Sequence, residues 1–142
     1  MECAGHAVIR QVEERDESEM KRLFTLYCQE THQAGDAEAF WSGIPRAPQG
    51  MTLVGEDDAR LYGFFSMLRV PMAVAPYLAI MGQIAYAEET SRRKVGLILR
   101  AGVRWAQAQG IRKFYMFCRD RAMAGWRKHH FSPSLILMER DF

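Results

Sequence analysis

Apolar residues along this chain change period several times, and each change predicts an element. Val8, Ile9 and Val12 mark a strand predicted over Ala7–Val12. Glu13–Glu17 reads as a charged connection, with Asp16 or Ser18 placed to cap a helix. In that helix Met20, Leu23, Phe24, Tyr27 and Thr31 recur at helical spacing, so one face is buried and the other carries Glu19, Lys21 and Glu30. Gly35 and Asp36 punctuate it, and a short helix is expected over Ala37–Trp41. Gly43–Gly50, with Pro45 and Pro48, reads as a loop.

Period-two patterning then takes over. Met51–Glu56 predicts a strand, Asp57-Asp58-Ala59-Arg60 a tight turn, and Leu61–Val70 the hairpin partner. Pro71–Pro76 leads to a long, largely buried strand over Tyr77–Ala87, where Gly82 marks a bulge or a close backbone approach. The helical period returns over Arg92–Gln109, with Val95, Ile98, Leu99, Gly102 and Ala106 as the inner stripe and Gly110 as the stop. A strand over Lys113–Cys118, a short helix over Arg121–His129 and a last strand over Ser134–Met138 complete the chain. The order is β-α-α-β-β-β-α-β-α-β. Consecutive early strands favour antiparallel pairing, and the strand–helix–strand unit from Tyr77 to Cys118 favours a parallel pair with a crossover helix. The expected class is α/β, a mixed sheet with helices on its faces.

Composition narrows the partners. A chain of 142 residues, 49% hydrophobic and 25% charged, fits one domain spanning 1–142 with a real core. A net charge of +2 does not call for a nucleic-acid partner, so any basic site is local. Cys3, Cys28 and Cys118 are odd in number and form no C-x-x-C pair, which argues against a disulfide framework or a metal site and fits a reducing cytoplasm. The first residues lack the basic and apolar regions of a secretory leader. The apolar stretch Val70–Ile84 is interrupted by Pro71, Pro76, Gly82 and Gln83, so no membrane span is expected.

The element order and local sequence resemble the Gcn5-related N-acetyltransferase (GNAT) fold over nearly the whole chain. Ile9-Arg10-Gln11-Val12 with Asp16 resembles the family's first strand and helix entry, and Leu61-Tyr62-Gly63-Phe64 its central hairpin. The strand–turn–helix unit from Gln83 to Gly96 resembles its pyrophosphate-binding segment, usually V-x-P-x-x-R/Q-x-x-G-x-G/A. Trp105-Ala106 with Gly110-Ile111-Arg112-Lys113, and the stretch from Arg121 to Phe131, resemble the helix and terminal segment that follow. A helix N-terminus presents unpaired N–H groups and a positive dipole end, which suits a diphosphate. The resemblance therefore implies acetyl-CoA as co-substrate. Ile84, Ala85 and Tyr86 would offer their main chain to the pantetheine arm, and Thr90, Ser91, Arg92, Arg93, Lys94, Val95 and Gly96 together would hold the pyrophosphate.

The sequence also departs from the family pattern. Counting back from Trp105, the Arg/Gln position falls on Thr90 and the two small positions on Arg93 and Val95, while shifts of one or two residues bring in Arg92 or Gly96. The loop is therefore assigned collectively. A Tyr that serves many members as general acid aligns with Trp126, whose indole N–H is not a usable acid. Glu88, Glu89, His129 and His130 lie near these positions as alternative proton-transfer groups; Glu88, Trp126 and His129 are the catalytic candidates.

Each feature has a plainer reading. Arg92-Arg93-Lys94 could be a solvated helix start, although cations there oppose the dipole unless an anion is present. Trp126 reads first as packing, and His129-His130 as a surface pair at a helix end. Arg119, Arg121, Arg127 and Lys128 read as a basic face, and Met51, Met67, Met72 and Met81 as core fillers. His32 and Trp41 fall where the family builds its acceptor site. The function implied by the resemblance is transfer of an acetyl group from acetyl-CoA to a primary amine of a small molecule or protein, by direct attack in a ternary complex. The alternative is a weak or inactive GNAT-fold binding or inhibitor protein. A homodimer is among the assemblies the resemblance admits.

Overall fold

The computed structural model describes residues 8–71, 78–87, 89–116, 123–132, 138 and 140–142. Its elements are β1 (Val8–Gln11), α1 (Glu17–Thr31), α2 (Ala37–Gly43), β2 (Gly50–Asp57), β3 (Arg60–Pro71), β4 (Leu78–Tyr86), α3 (Arg92–Ala108), β5 (Lys113–Met116) and α4 (Met123–Arg127). The expected last strand falls on residues 134–137, outside the described residues, and Met138 is not in a strand. Of the expected helix over Arg121–His129, residues 123–127 are helical and 128–130 form a turn, while 121 and 122 lie outside the described residues.

Among the described residues one five-stranded sheet runs in the order β1-β2-β3-β4-β5. The first three pairings are antiparallel and β4–β5 is parallel, as the strand order along the chain predicts. The β2–β3 turn is two residues, Asp58 and Ala59, both at positive φ (49° and 63°), the backbone that matches strand twist in a tight hairpin. The β-bulge is in this hairpin, where the register steps from Gly55↔Gly63 to Glu56↔Leu61, and not at Gly82. The extra residue, Tyr62, thereby faces the opposite side of the sheet from Leu61 and Phe64. Gly82 is instead a close approach: a Cβ there would meet the Phe65 ring at 2.7 Å and the Phe114 ring at 2.8 Å.

Strand alternation divides the core. Phe64 and Ala85 pack with Met20 and Leu23 of α1 and with Trp41 and Ile44 on one face. Phe65, Met67 and Ile80 pack with Ile98, Leu99 and Ala106 of α3 on the other. Gly102 brings α3 close to the sheet, since a Cβ there would be 2.7 Å from Phe65.

Buried polar groups fix the helices. Asp16 does not cap α1 through its side chain. Its carboxylate receives both arms of the Arg10 guanidinium, at 2.8 and 2.9 Å, and the Glu13 N–H at 2.7 Å. Arg10 also reaches Glu56 at 2.6 Å, tying β1, the α1 entry and β2 together. The Arg10 hydrogen bond is the main reason the Asp16 carboxyl titrates below its ordinary range. On α1, Arg22 donates to the Leu61 carbonyl at 2.8 Å and Glu19 accepts the Leu61 N–H at 3.2 Å, docking the helix on the start of β3. Asp36 caps α2 by accepting from the Glu38 and Ala39 N–H groups.

Candidate active site

The segment after β4 turns sharply into α3. Ala87 still pairs with β3 through its N–H to the Tyr62 carbonyl (2.9 Å), and the Thr90 N–H returns to the Ala87 carbonyl (2.9 Å). Ser91 is the N-cap, its hydroxyl accepting from the Lys94 N–H at 3.3 Å. The first intrahelical bond is Val95 N–H to the Ser91 carbonyl. The N–H groups of Arg92 and Arg93 belong to the first turn, where a helix offers no internal acceptor. Both side chains are exposed.

The collectively predicted loop thus separates into parts. The Thr90 hydroxyl donates to the Tyr62 carbonyl at 3.3 Å, so its proton is committed within the protein. The Lys94 ammonium pairs with Asp57 and lies over the Tyr62 ring, 5.3 Å from its centroid. Desolvation, with a smaller contribution from Asp57, pushes the Tyr62 hydroxyl above its ordinary pKa. Lys94 is therefore engaged on the hairpin. Arg92, Arg93 and the Ser91 hydroxyl proton remain at the helix mouth. Val95 is half-buried. Gly96 keeps the next turn open, with the His129 ring 3.7 Å and the Arg100 guanidinium 3.8 Å from where its Cβ would be. These residues suit a diphosphate: first-turn amides, two guanidiniums and a small residue one turn on.

Of the catalytic candidates, Glu88 lies outside the described residues. Trp126 is half-buried, its ring 6.4 Å from His129 and edge-on to Phe131 at 6.1 Å, packed with the α3-side core. His129 lies beside Gly96, at the α3 mouth.

β4 carries two surfaces. Ile84 joins the α3-side cluster and Tyr86 is exposed. Met81, Gln83 and Ala85 line a cavity of about 470 Å³ under α1 and α2. Phe24 and Tyr27 of α1, with Phe40 and Ile44 beside them, form its roof, and Phe64, Ser66 and Leu68 of β3 extend its floor. Phe24 and Phe40 stack at 4.4 Å. Gln83 donates to the Tyr27 hydroxyl at 3.2 Å. The Ser66 hydroxyl is 3.2 Å from that of Thr52. No described lining residue carries a charge.

His32 and Trp41, which fall in the sequence where the family builds its acceptor site, are not in the lining. His32 closes α1 in a left-handed conformation. Trp41 is buried in the core beneath the Arg46 guanidinium, 4.8 Å from its ring. Phe40, Leu68 and Gln83 were not anticipated as site residues. In the sequence Phe24 and Tyr27 stand out only as part of a buried stripe, and their three-residue spacing is the signal that they share a face. Among the described residues no group of three His, Cys, Asp or Glu could hold a metal, and no helix is long and apolar enough to cross a membrane.

No known family model and no curated protein sequence matches the chain. Solved structures do. The aminoglycoside N-acetyltransferase AAC(6')-Iy in complex with CoA superposes with a TM-score of 0.78 at 15% identity, covering 99% of this chain and 98% of that one. A protein from Bacillus halodurans described as a transcriptional regulator gives 0.82 at 11% identity, covering 96% and 100%. Glucosamine-6-phosphate N-acetyltransferase from Arabidopsis thaliana gives 0.70 at 15%, covering 96% and 99%. At these identities the likeness is one of fold, and the chain shares the GNAT fold with these structures over nearly its whole length.

Proposed function

We propose that the protein is an N-acetyltransferase that binds acetyl-CoA at the mouth of α3 and transfers its acetyl group to a primary amine. The observation that carries this reading is a juxtaposition. The Ser91-capped helix mouth, with Arg92 and Arg93, follows directly on a strand whose Ala85 lines the cavity under α1 and α2. The CoA complex among the structural neighbours supports the cofactor. The neighbours' different acceptors, an aminoglycoside and a sugar phosphate, leave the acceptor of this chain to be argued from its own residues.

In this reading the first-turn N–H groups and the two guanidiniums hold the diphosphate. The main-chain N–H of Tyr86, turned away from β3 by strand alternation, polarises the thioester carbonyl. The amine nitrogen attacks the carbonyl carbon; a C–N bond forms, the C–S bond breaks, the nitrogen loses a proton and the sulfur leaves as thiolate to be protonated. Positioning of the two substrates supplies much of the rate, so an acid at the Trp126 position is not required.

Calorimetry with acetyl-CoA and thiol release with an amine panel test the reading. Arg92→Ala with Arg93→Ala is expected to weaken CoA binding more than tenfold, and unchanged affinity would remove the cofactor assignment. Tight binding without turnover on any amine would favour the non-catalytic alternative.

A further inference from the structure

We infer that the acceptor is a small primary amine carried on an apolar, flat body with no second positive charge, seated in the cavity under α1 and α2 with its nitrogen at Gln83 and Tyr27. This rests on the acetyltransferase reading above and adds the class of acceptor.

The lining makes the choice. The stacked Phe24 and Phe40 rings, Phe64, Leu68 and Met81 present aromatic and thioether surface that favours a planar apolar body. A volume of about 470 Å³ is in the range of small-molecule pockets. A polycation such as a polyamine or an aminoglycoside needs carboxylates to replace the water around each ammonium, and the described lining contains none. Glu38, next to Ala39 of the lining, is already engaged: it pairs with Lys21, which also holds Glu17.

Three polar side chains remain in the lining. Ser66 is engaged with Thr52. The Gln83 amide donates to the Tyr27 hydroxyl, which leaves the Gln83 carbonyl to accept an amine N–H and the Tyr27 hydroxyl proton to donate. Gln83 and Ala85 lie on one face of β4, about 7 Å apart by strand geometry, so an amine at Gln83 stands beside the main chain proposed to polarise the thioester. The described lining offers no carboxylate to hold a bound amine as its ammonium.

The test compares 2-phenylethylamine with spermidine and kanamycin by CoA-thiol release, with ligand-observed NMR of 2-phenylethylamine binding as a readout independent of turnover. At least tenfold higher kcat/KM for 2-phenylethylamine is expected. Leu68→Glu, which places a carboxylate at the exposed rim, is expected to reduce that ratio at least fivefold and to weaken the NMR signal while CoA affinity by calorimetry stays within twofold. CoA binding with a preference for spermidine or kanamycin, or an NMR signal unaffected by Leu68→Glu, would overturn the acceptor class and leave the transferase reading standing. No CoA binding would overturn both.

Discussion

Two glycines on α3 give the sharpest test of how this fold is packed. Replacing a helical glycine with alanine removes backbone freedom from the unfolded chain and gains about 0.5–1 kcal/mol when the space is open. At Gly96 the nearest atoms to an added Cβ are ends of the His129 and Arg100 side chains, at 3.7 and 3.8 Å, which is ordinary contact. Gly96→Ala should therefore stabilise by about that amount. At Gly102 the same methyl would be 2.7 and 2.9 Å from two atoms of the Phe65 ring and 3.1 Å from the Met67 sulfur. Neither neighbour has room to yield. Phe65 and Met67 are fully buried, and the Phe65 ring is closed from another side by Gly82 and by Phe114 at 5.7 Å. Overpacking a tight core costs about 1–3 kcal/mol, which outweighs the propensity gain. The net expectation is a loss of about 1–2 kcal/mol. With a urea m-value of about 2 kcal/mol/M, the midpoint should fall by roughly 0.5–1 M for Gly102→Ala and rise by roughly 0.3–0.5 M for Gly96→Ala. Urea unfolding followed by tryptophan fluorescence and circular dichroism measures both. If both substitutions stabilise, helix propensity governs and the close approach of α3 to the sheet is not a real constraint.

Other outcomes follow from the same contacts. Asp16→Ala leaves Arg10 without its bidentate partner and should cost about 3 kcal/mol, read by urea unfolding. The Asp16 carboxyl is lowered in the folded state, so its contribution is complete above the unfolded value of about 4 and fades as pH falls through the folded value. Stability of the wild type should thus fall more steeply below about pH 4 than that of Asp16→Asn; parallel profiles would refute the pairing. Lys94→Ala strands the partly buried Asp57, one of whose carboxylate oxygens has no hydrogen-bond partner, and should lower stability by about 1–2 kcal/mol with CoA affinity within threefold. A tenfold loss of affinity would return Lys94 to the phosphate site. Trp126→Tyr should keep the fold and raise turnover, whereas Trp126→Ala should cost about 2 kcal/mol through the lost Phe131 contact; a collapse of Tm in the Tyr variant would make the indole an essential core group.

The sequence by itself determined what local periodicity carries. The α1 stripe at Met20, Leu23, Phe24 and Tyr27, the β2–β3 hairpin, the α3 stripe and the helix start after β4 all follow from spacings of two to four residues, which a chain displays before it folds. The pairing directions of the described strands also followed, because a tight turn forces antiparallel neighbours and a crossover helix a parallel pair. Tertiary structure alone decided where charges and space ended up. Lys94, read with Arg92 and Arg93 as one basic cluster, is drawn away by Asp57, 37 positions earlier. Asp16, read as a cap, is claimed by Arg10 from a neighbouring strand. Trp41 went to the core and Phe40, one residue before it, to the cavity, a difference set by how α2 is turned against the sheet. A cavity is the volume that distant elements fail to fill when they pack, so no window of sequence contains it. Its lining, from Phe24 to Ala85, exists only once α1, α2, β3 and β4 have met.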